Sequence, residues 1–137
     1  MSDEKIVIQK KTPFGTAPYL VNYAETYKNF SWEEARRRLD GLPDGGLNIA
    51  YEAVDRHVRH SNGNKVAIRW ISKDESIRDI SYAELAGETD DFANALKALN
   101  ISKGDAVYAL AGRVPELYIA ALGTLKNGSV FCPLFSA

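Results

Sequence analysis

Between Ala106 and Phe135 the chain reads strand, helix, strand, and this order constrains its fold more than any other stretch. "AVYALA" (106–111) is a short continuous apolar run. Pro115 then opens "PELYIAALGTLKNG", which closes on Gly128 in the usual arrangement of a proline just inside a helix and a glycine just past it. "VFCPLF" (130–135) follows at once. The helix is apolar nearly all round, so the sequence predicts a βαβ unit whose two strands run parallel in a sheet covered on both faces. Val130, Phe131, Leu134 and Phe135 read as a strand meant for burial, whereas chain ends are usually polar and loosely packed. The expectation is that the same domain continues beyond Ala137.

The 137 residues suffice for one domain with a hydrophobic core. Seventeen basic and eighteen acidic side chains leave a net charge of −1, without the field that draws a protein to nucleic acid. The longest basic run, Arg36 to Arg38, follows Glu33 and Glu34 within one helical pattern and reads as a solvated, ion-paired face. Cys132 is the only cysteine, which rules out an internal disulfide or a CxxC site and fits a small buried apolar group. The N-terminus lacks a signal-peptide core, and no stretch approaches the roughly 18 apolar residues of a membrane span. A cytoplasmic protein that binds neither membrane nor nucleic acid is expected.

Residues 1 to 30 carry Phe14, Tyr19, Tyr23, Tyr27 and Phe30 among turn formers, without steady periodicity. They read as an irregular, extended lead-in that packs on a body. A capping box at Ser31 and Glu34 then opens a short helix. "DGLPDGG" (40–46) breaks it, and Asn48 is placed to cap a helix whose Ile49, Ala53, Val54 and Val58 share one face. The pattern changes to period two at "KVAIRWI" (65–71), and "SIRDI" (76–80) can return antiparallel as a β-hairpin. A second capping box, Ser81 with Glu84, starts a long helix with Leu85, Phe92, Leu96 and Leu99 on its apolar stripe.

Residues able to carry chemistry are sparse. His57 and His60 lie three apart near Asp55, but no further His or Cys cluster exists to complete a metal site. "DGLPDGG" lacks a preceding strand and carries two aspartates that would repel phosphate. "LAGRVPEL" (110–117) follows a strand and opens a helix, where Arg113 could face an anion; an ordinary βα loop with a solvated arginine is the favoured account, since most such loops bind nothing. No GxGxxG or GxxxxGK[ST] occurs, which disfavours a dinucleotide-binding domain. Composition and spacing lead to a partial α/β sheet without an active site.

Three stretches together resemble a known family. "NYAETYKNFSWEEA" (22–35) with "GGLNIAYEAVDRHV" (45–58) is similar to the N-terminal segment of AMP-forming acetyl-CoA synthetases, with its asparagine and Asp-Arg-His helix. "DISYAELAGETDDFANALKALNISKGDAVYAL" (79–110) and "PELYIAALGTLKNGSVFCPLF" (115–135) resemble the first and second core motifs of the wider adenylate-forming superfamily. Leu47-Asn48 and Asp55-Arg56-His57 narrow the resemblance to the acetyl-CoA synthetase group.

The resemblance implies an α/β fold, an incomplete N-terminal subdomain of an adenylate-forming enzyme. It would comprise a β-hairpin, a βαβ unit, flanking helices and an irregular lead-in. Residues 1–60 would form the lead-in and helices typical of the group, and residues 61–137 the start of the adenylation domain. The implied parent joins acetate to coenzyme A with ATP and magnesium, through an acyl-adenylate, and needs the remainder of the N-terminal domain and a C-terminal domain. The family's phosphate loop, ribose-binding aspartate, hinge and catalytic lysine have no counterpart in this sequence, so catalytic silence of these residues is expected. The resemblance also places Phe135, Ser136 and Ala137 where relatives often carry Phe-Gly-Gly beside the nucleotide end of coenzyme A. Ser136 and Ala137 add a Cβ at both glycine positions, which hinders close backbone approach, and a core packing role is the favoured reading of Phe135. A non-catalytic interaction module derived from a ligase is the alternative.

Overall fold

The computed structural model describes residues 20–134. Contacts divide the chain into two units, one running through Arg38 and the other beginning at Leu39.

Among its described residues the first unit holds two short helices, α1 (Tyr23–Asn29) and α2 (Trp32–Arg37). The segment that lacks periodicity in the sequence is therefore helical in part. Asn22 explains its start, because its side-chain oxygen accepts from the Glu25 N–H at 3.2 Å. Tyr23 and Tyr27, one turn apart, stack with ring centroids 5.9 Å apart, and Phe30 meets Trp32 edge-on at 5.1 Å. These four rings are exposed and pair locally; Phe14 and Tyr19 lie outside the described residues. Ser31 caps α2 as expected, accepting from the Glu34 N–H at 3.1 Å, while the Glu34 carboxylate pairs with Arg38.

The second unit begins with the "DGLPDGG" loop and an irregular helical passage. Asn48 opens that passage, which is wound as π-helix over Tyr51–Asp55 and again over Val58–Asn62. The i→i+5 spacing of π winding moves the buried row away from the one a regular helix predicts. Ala50, Tyr51 and Val54 are buried, whereas Ile49 and Ala53 are exposed.

The predicted hairpin forms from β1 (Val66–Ile71) and β2 (Ile77–Ser81), paired antiparallel. A bulge between Val66 and Ile68 places one extra residue in β1, and Ala67 and Ile68 both pack on the core in consequence. Arg69 and Asp79 stand opposite each other and form a forked pair at 2.7 and 2.6 Å.

Helix α3 (Tyr82–Ala98) starts at the complete capping box read from the sequence: Ser81 Oγ accepts from the Glu84 N–H, and the Glu84 carboxylate accepts from the Ser81 N–H at 2.8 Å. Leu85, Ala86, Thr89, Ala93 and Leu96 form its buried face, while Leu99 lies past the last turn and is exposed. Hydrogen bonds from Ser81 hold the Glu84 carboxyl below its ordinary value, and the Arg69 guanidinium does the same for Asp79. A carboxylate depressed in the folded state contributes stability that is complete above its unfolded pKa and disappears as pH falls through its folded one. Thermal midpoints are thus expected to hold near neutrality and fall below about pH 4, with Ser81→Ala, which removes the hydroxyl but keeps the backbone N–H, flattening that decline in part. An unchanged midpoint down to pH 3 would contradict this.

The βαβ unit is present as predicted. Strand β3 (Ala106–Ala109), helix α4 (Pro115–Lys126) and strand β4 (Val130–Pro133) follow in order, with β3 and β4 parallel in the register Ala106↔Val130 to Ala109↔Pro133. Gly128 ends the helix at φ +77°, a conformation L side chains rarely adopt. Strand alternation puts Val107, Ala109 and Phe131 on the side that is part-buried. Tyr108, Leu110, Val130 and Leu134 fall on the other side and are exposed, so among the described residues the pair is covered on one face, not both. The core joins Val54, Ile80, Leu85 and Ala86 to Val58, Ala67, Ile68, Ile119 and Leu122.

Candidate functional site

Strand β4 delivers the chain to the residues singled out for coenzyme A. Leu134 extends the ladder by donating its N–H to the Ala109 carbonyl at 2.8 Å. Phe135, Ser136 and Ala137 themselves lie outside the described residues.

The asparagine and Asp-Arg-His segment that carries the family resemblance is tied into its surroundings residue by residue. Asn48 Oδ1 accepts from the N–H groups of Ala50 and Tyr51 at 2.9 and 3.2 Å, while its Nδ2 donates to the Leu125 carbonyl at 2.8 Å. One side chain thereby caps two helix ends, an opening and a closing one. Asp55 accepts from Lys126 Nζ at 2.8 Å. Arg56 pairs with Asp40 at 3.1 Å and with Glu52 at 3.2 Å. The His57 ring lies 4.6 Å from that of Tyr82.

Lys126 is the centre of this junction. Its side chain is only 9% exposed, and its ammonium donates to Asp55, to Asp90 at 2.7 Å and to the Ala86 carbonyl at 3.2 Å. A desolvated ammonium is costly unless paired, and here all three of its protons have acceptors. The junction thus links the π-helical passage, α3 and the end of α4. Chemically it is a clasp: each N–H of its ammonium is engaged by an acceptor of the chain itself.

The remaining sequence candidates are also engaged. His60 Nε2 lies 2.8 Å from one oxygen of Asp40, whose other oxygen binds Arg56. In "DGLPDGG" the N–H groups of Asp40 and Gly41 donate to Glu52, and that of Gly46 to Asp44. Carboxylates of the chain itself occupy the donors a phosphate would need. The Arg113 carbonyl accepts from the Trp70 indole N–H at 2.9 Å. Among the described residues no group of His, Cys, Asp and Glu is arranged to hold a metal ion, and no helix is long and apolar enough to cross a membrane.

Sequence reasoning missed two features. The Lys126 clasp had a signal, since a lone charge ending an otherwise apolar, enclosed helix demands a partner. The close crossing of α3 and α4 at Gly123 had none beyond the glycine itself.

The AMP-binding enzyme family model matches residues 54–137, from the π-helical passage through the βαβ unit. The chain belongs to the AMP-binding enzyme family. Within that family it is 42% identical over 121 residues to the acetyl-coenzyme A synthetase of Bacillus subtilis, a match covering 86% of this chain and 21% of the relative. The acetyl-coenzyme A synthetase of Methanothrix soehngenii is 40% identical over 94 residues, covering 67% of this chain and 14% of the relative. The crystal structure of Brucella canis acyl-CoA synthetase aligns with a TM-score of 0.75 at 34% identity, over 84% of this chain and 21% of that one. This AMP-binding family chain therefore spans about a fifth of the length of the curated relatives it matches.

Proposed function

We propose that the chain is the N-terminal portion of an acetyl-coenzyme A synthetase and supplies scaffold to a ligase site built elsewhere. The observation that carries this reading is the match to acetyl-coenzyme A synthetases across most of the chain. The saturated junction at Lys126 supports the scaffold role, because the Asp-Arg-His segment serves packing, not chemistry. In the parent reaction the carboxylate oxygen of acetate attacks the α-phosphorus of ATP and pyrophosphate leaves, with magnesium as counter-ion. The thiol of coenzyme A then displaces AMP from the acyl-adenylate. Acetate or another short carboxylate, ATP and coenzyme A are the parent's ligands. Residues 1–60 form the group-specific lead-in and 61–137 the start of the adenylation domain. Phe135, Ser136 and Ala137 stand near the nucleotide end of coenzyme A, and the setting is cytoplasmic.

Acetyl-CoA formation should be assayed with the 137-residue chain and with the full protein its gene encodes. Product from the full protein alone is expected; thioester formed by the 137 residues would overturn the reading. The exposed face bearing Tyr108, Leu110, Val130 and Leu134 favours a second reading, a non-catalytic interaction module. A stop codon directly after Ala137 would support it, and an in-frame continuation into a Ser/Thr/Gly-rich loop would remove its basis.

A further inference from the structure

Beside the Lys126 clasp, the π-helical passage and α3 line an open cavity of about 670 Å³. Its charged lining is unequal. Asp55 and Asp90 both face Lys126 and share its single positive charge. Arg59 and Lys97 also line the cavity, and neither guanidinium nor ammonium has an ion pair or hydrogen bond among the described residues. Arg59 lies 5.3 Å from the centroid of the Tyr51 ring, a contact that steadies the cation while leaving its N–H groups available. The Asn94 amide, also in the lining, has no side-chain hydrogen bond among the described residues. Leu42, Val58 and Ala93 supply apolar wall.

Three cations against two carboxylates leave the lining with an excess of one positive charge; the two carboxylates share the buried lysine, and Arg59 and Lys97 are the cations without an ion pair among the described residues. The unpaired cations are thus a planar fork and a point charge, the pair that together suit a phosphate. The volume falls within the range of small-molecule sites, roughly 300–1,000 Å³, and exceeds what inorganic phosphate fills. We propose that this cavity binds a small organic phosphate, its dianion between Arg59 and Lys97 and its apolar body against Leu42 and Val58. Such a site is separate from acyl transfer and is readable on the 137-residue chain by itself.

Phenyl phosphate is a suitable probe, titrated into the chain by calorimetry or amide-shift mapping beside phenol and inorganic phosphate. Saturable binding of phenyl phosphate is expected, with inorganic phosphate weaker and phenol silent. Lys97→Gln and Arg59→Gln should each weaken it roughly tenfold, the loss of one charge-assisted contact. Lys97 is exposed at the last turn of α3, so its variant tests the site without disturbing the core. Lys73→Gln, in the hairpin turn, should change nothing. Absence of saturable binding, equal binding of phenol, inorganic phosphate as tight as phenyl phosphate, or affinity unaltered by Lys97→Gln would each overturn the proposal.

Discussion

Gly123→Ala is expected to destabilise the chain by about 2 kcal/mol, although alanine is the better helix former by about 1 kcal/mol. Position 123 lies inside α4 where it crosses α3. A Cβ there would stand 2.8 Å from both Cβ and Cδ1 of Phe92 and 2.9 Å from the Thr89 carbonyl oxygen. Phe92 can turn at its ring but not at its Cβ, and Thr89 presents backbone, so relief requires the two helices to separate. Separation in turn loosens the core contacts of Ile119 and Leu122 on the same helix. Gly87→Ala is the matched control, since Gly87 lies mid-helix in α3 with nothing within 4 Å of the added carbon. It should stabilise by up to about 1 kcal/mol. Urea unfolding of both variants measures the contrast, and a shift of the same sign at the two sites would refute the close-crossing account.

Lys126→Met is expected to cost about 3 kcal/mol, toward the lower end of what removing one partner of a buried ion pair costs. Methionine keeps much of the side-chain volume and deletes the cation, so the loss reports electrostatics more than packing. It leaves the Asp55 carboxylate, about a quarter exposed, without a counter-ion, and takes one donor from the Ala86 carbonyl, which still accepts from the Thr89 hydroxyl. Asp90 is 60% exposed and regains water, so Asp55 accounts for most of the effect. Adding Asp55→Asn to Lys126→Met should recover part of the loss, and the double-mutant cycle isolates the coupling. Additivity of the two changes would show that the clasp contributes nothing.

What the sequence disclosed and what it concealed follow from the range of the forces involved. The Ser81 capping box, the hairpin and the proline-to-glycine helix rest on neighbours a few residues apart, and each stands where its residues indicate. The passage after Asn48 was misjudged because its winding is set by what it packs against: Ala50, Tyr51 and Val54 turn inward at the expense of Ile49 and Ala53. The helix at Tyr23 was hidden because a cap and one stacked pair sufficed to form it without an apolar stripe. The Asp-Arg-His segment was visible as a family mark, but its purpose was not. Asp55 meets Lys126 across 71 residues, and nothing local to either announces the other.

That separation has a kinetic side. Asn48 reaches the Leu125 carbonyl across 77 residues, so both ties to the end of α4 close the longest loops in the second unit for which side-chain bonds are described. Contacts that close long loops carry the largest entropic cost and tend to form after the local hairpin and helix have consolidated. They act as a latch, fastened last and released first. Lys126→Met is therefore expected to quicken unfolding while leaving the folding rate nearly unchanged, so that the clasp sets how long the folded state endures, not how fast it is reached.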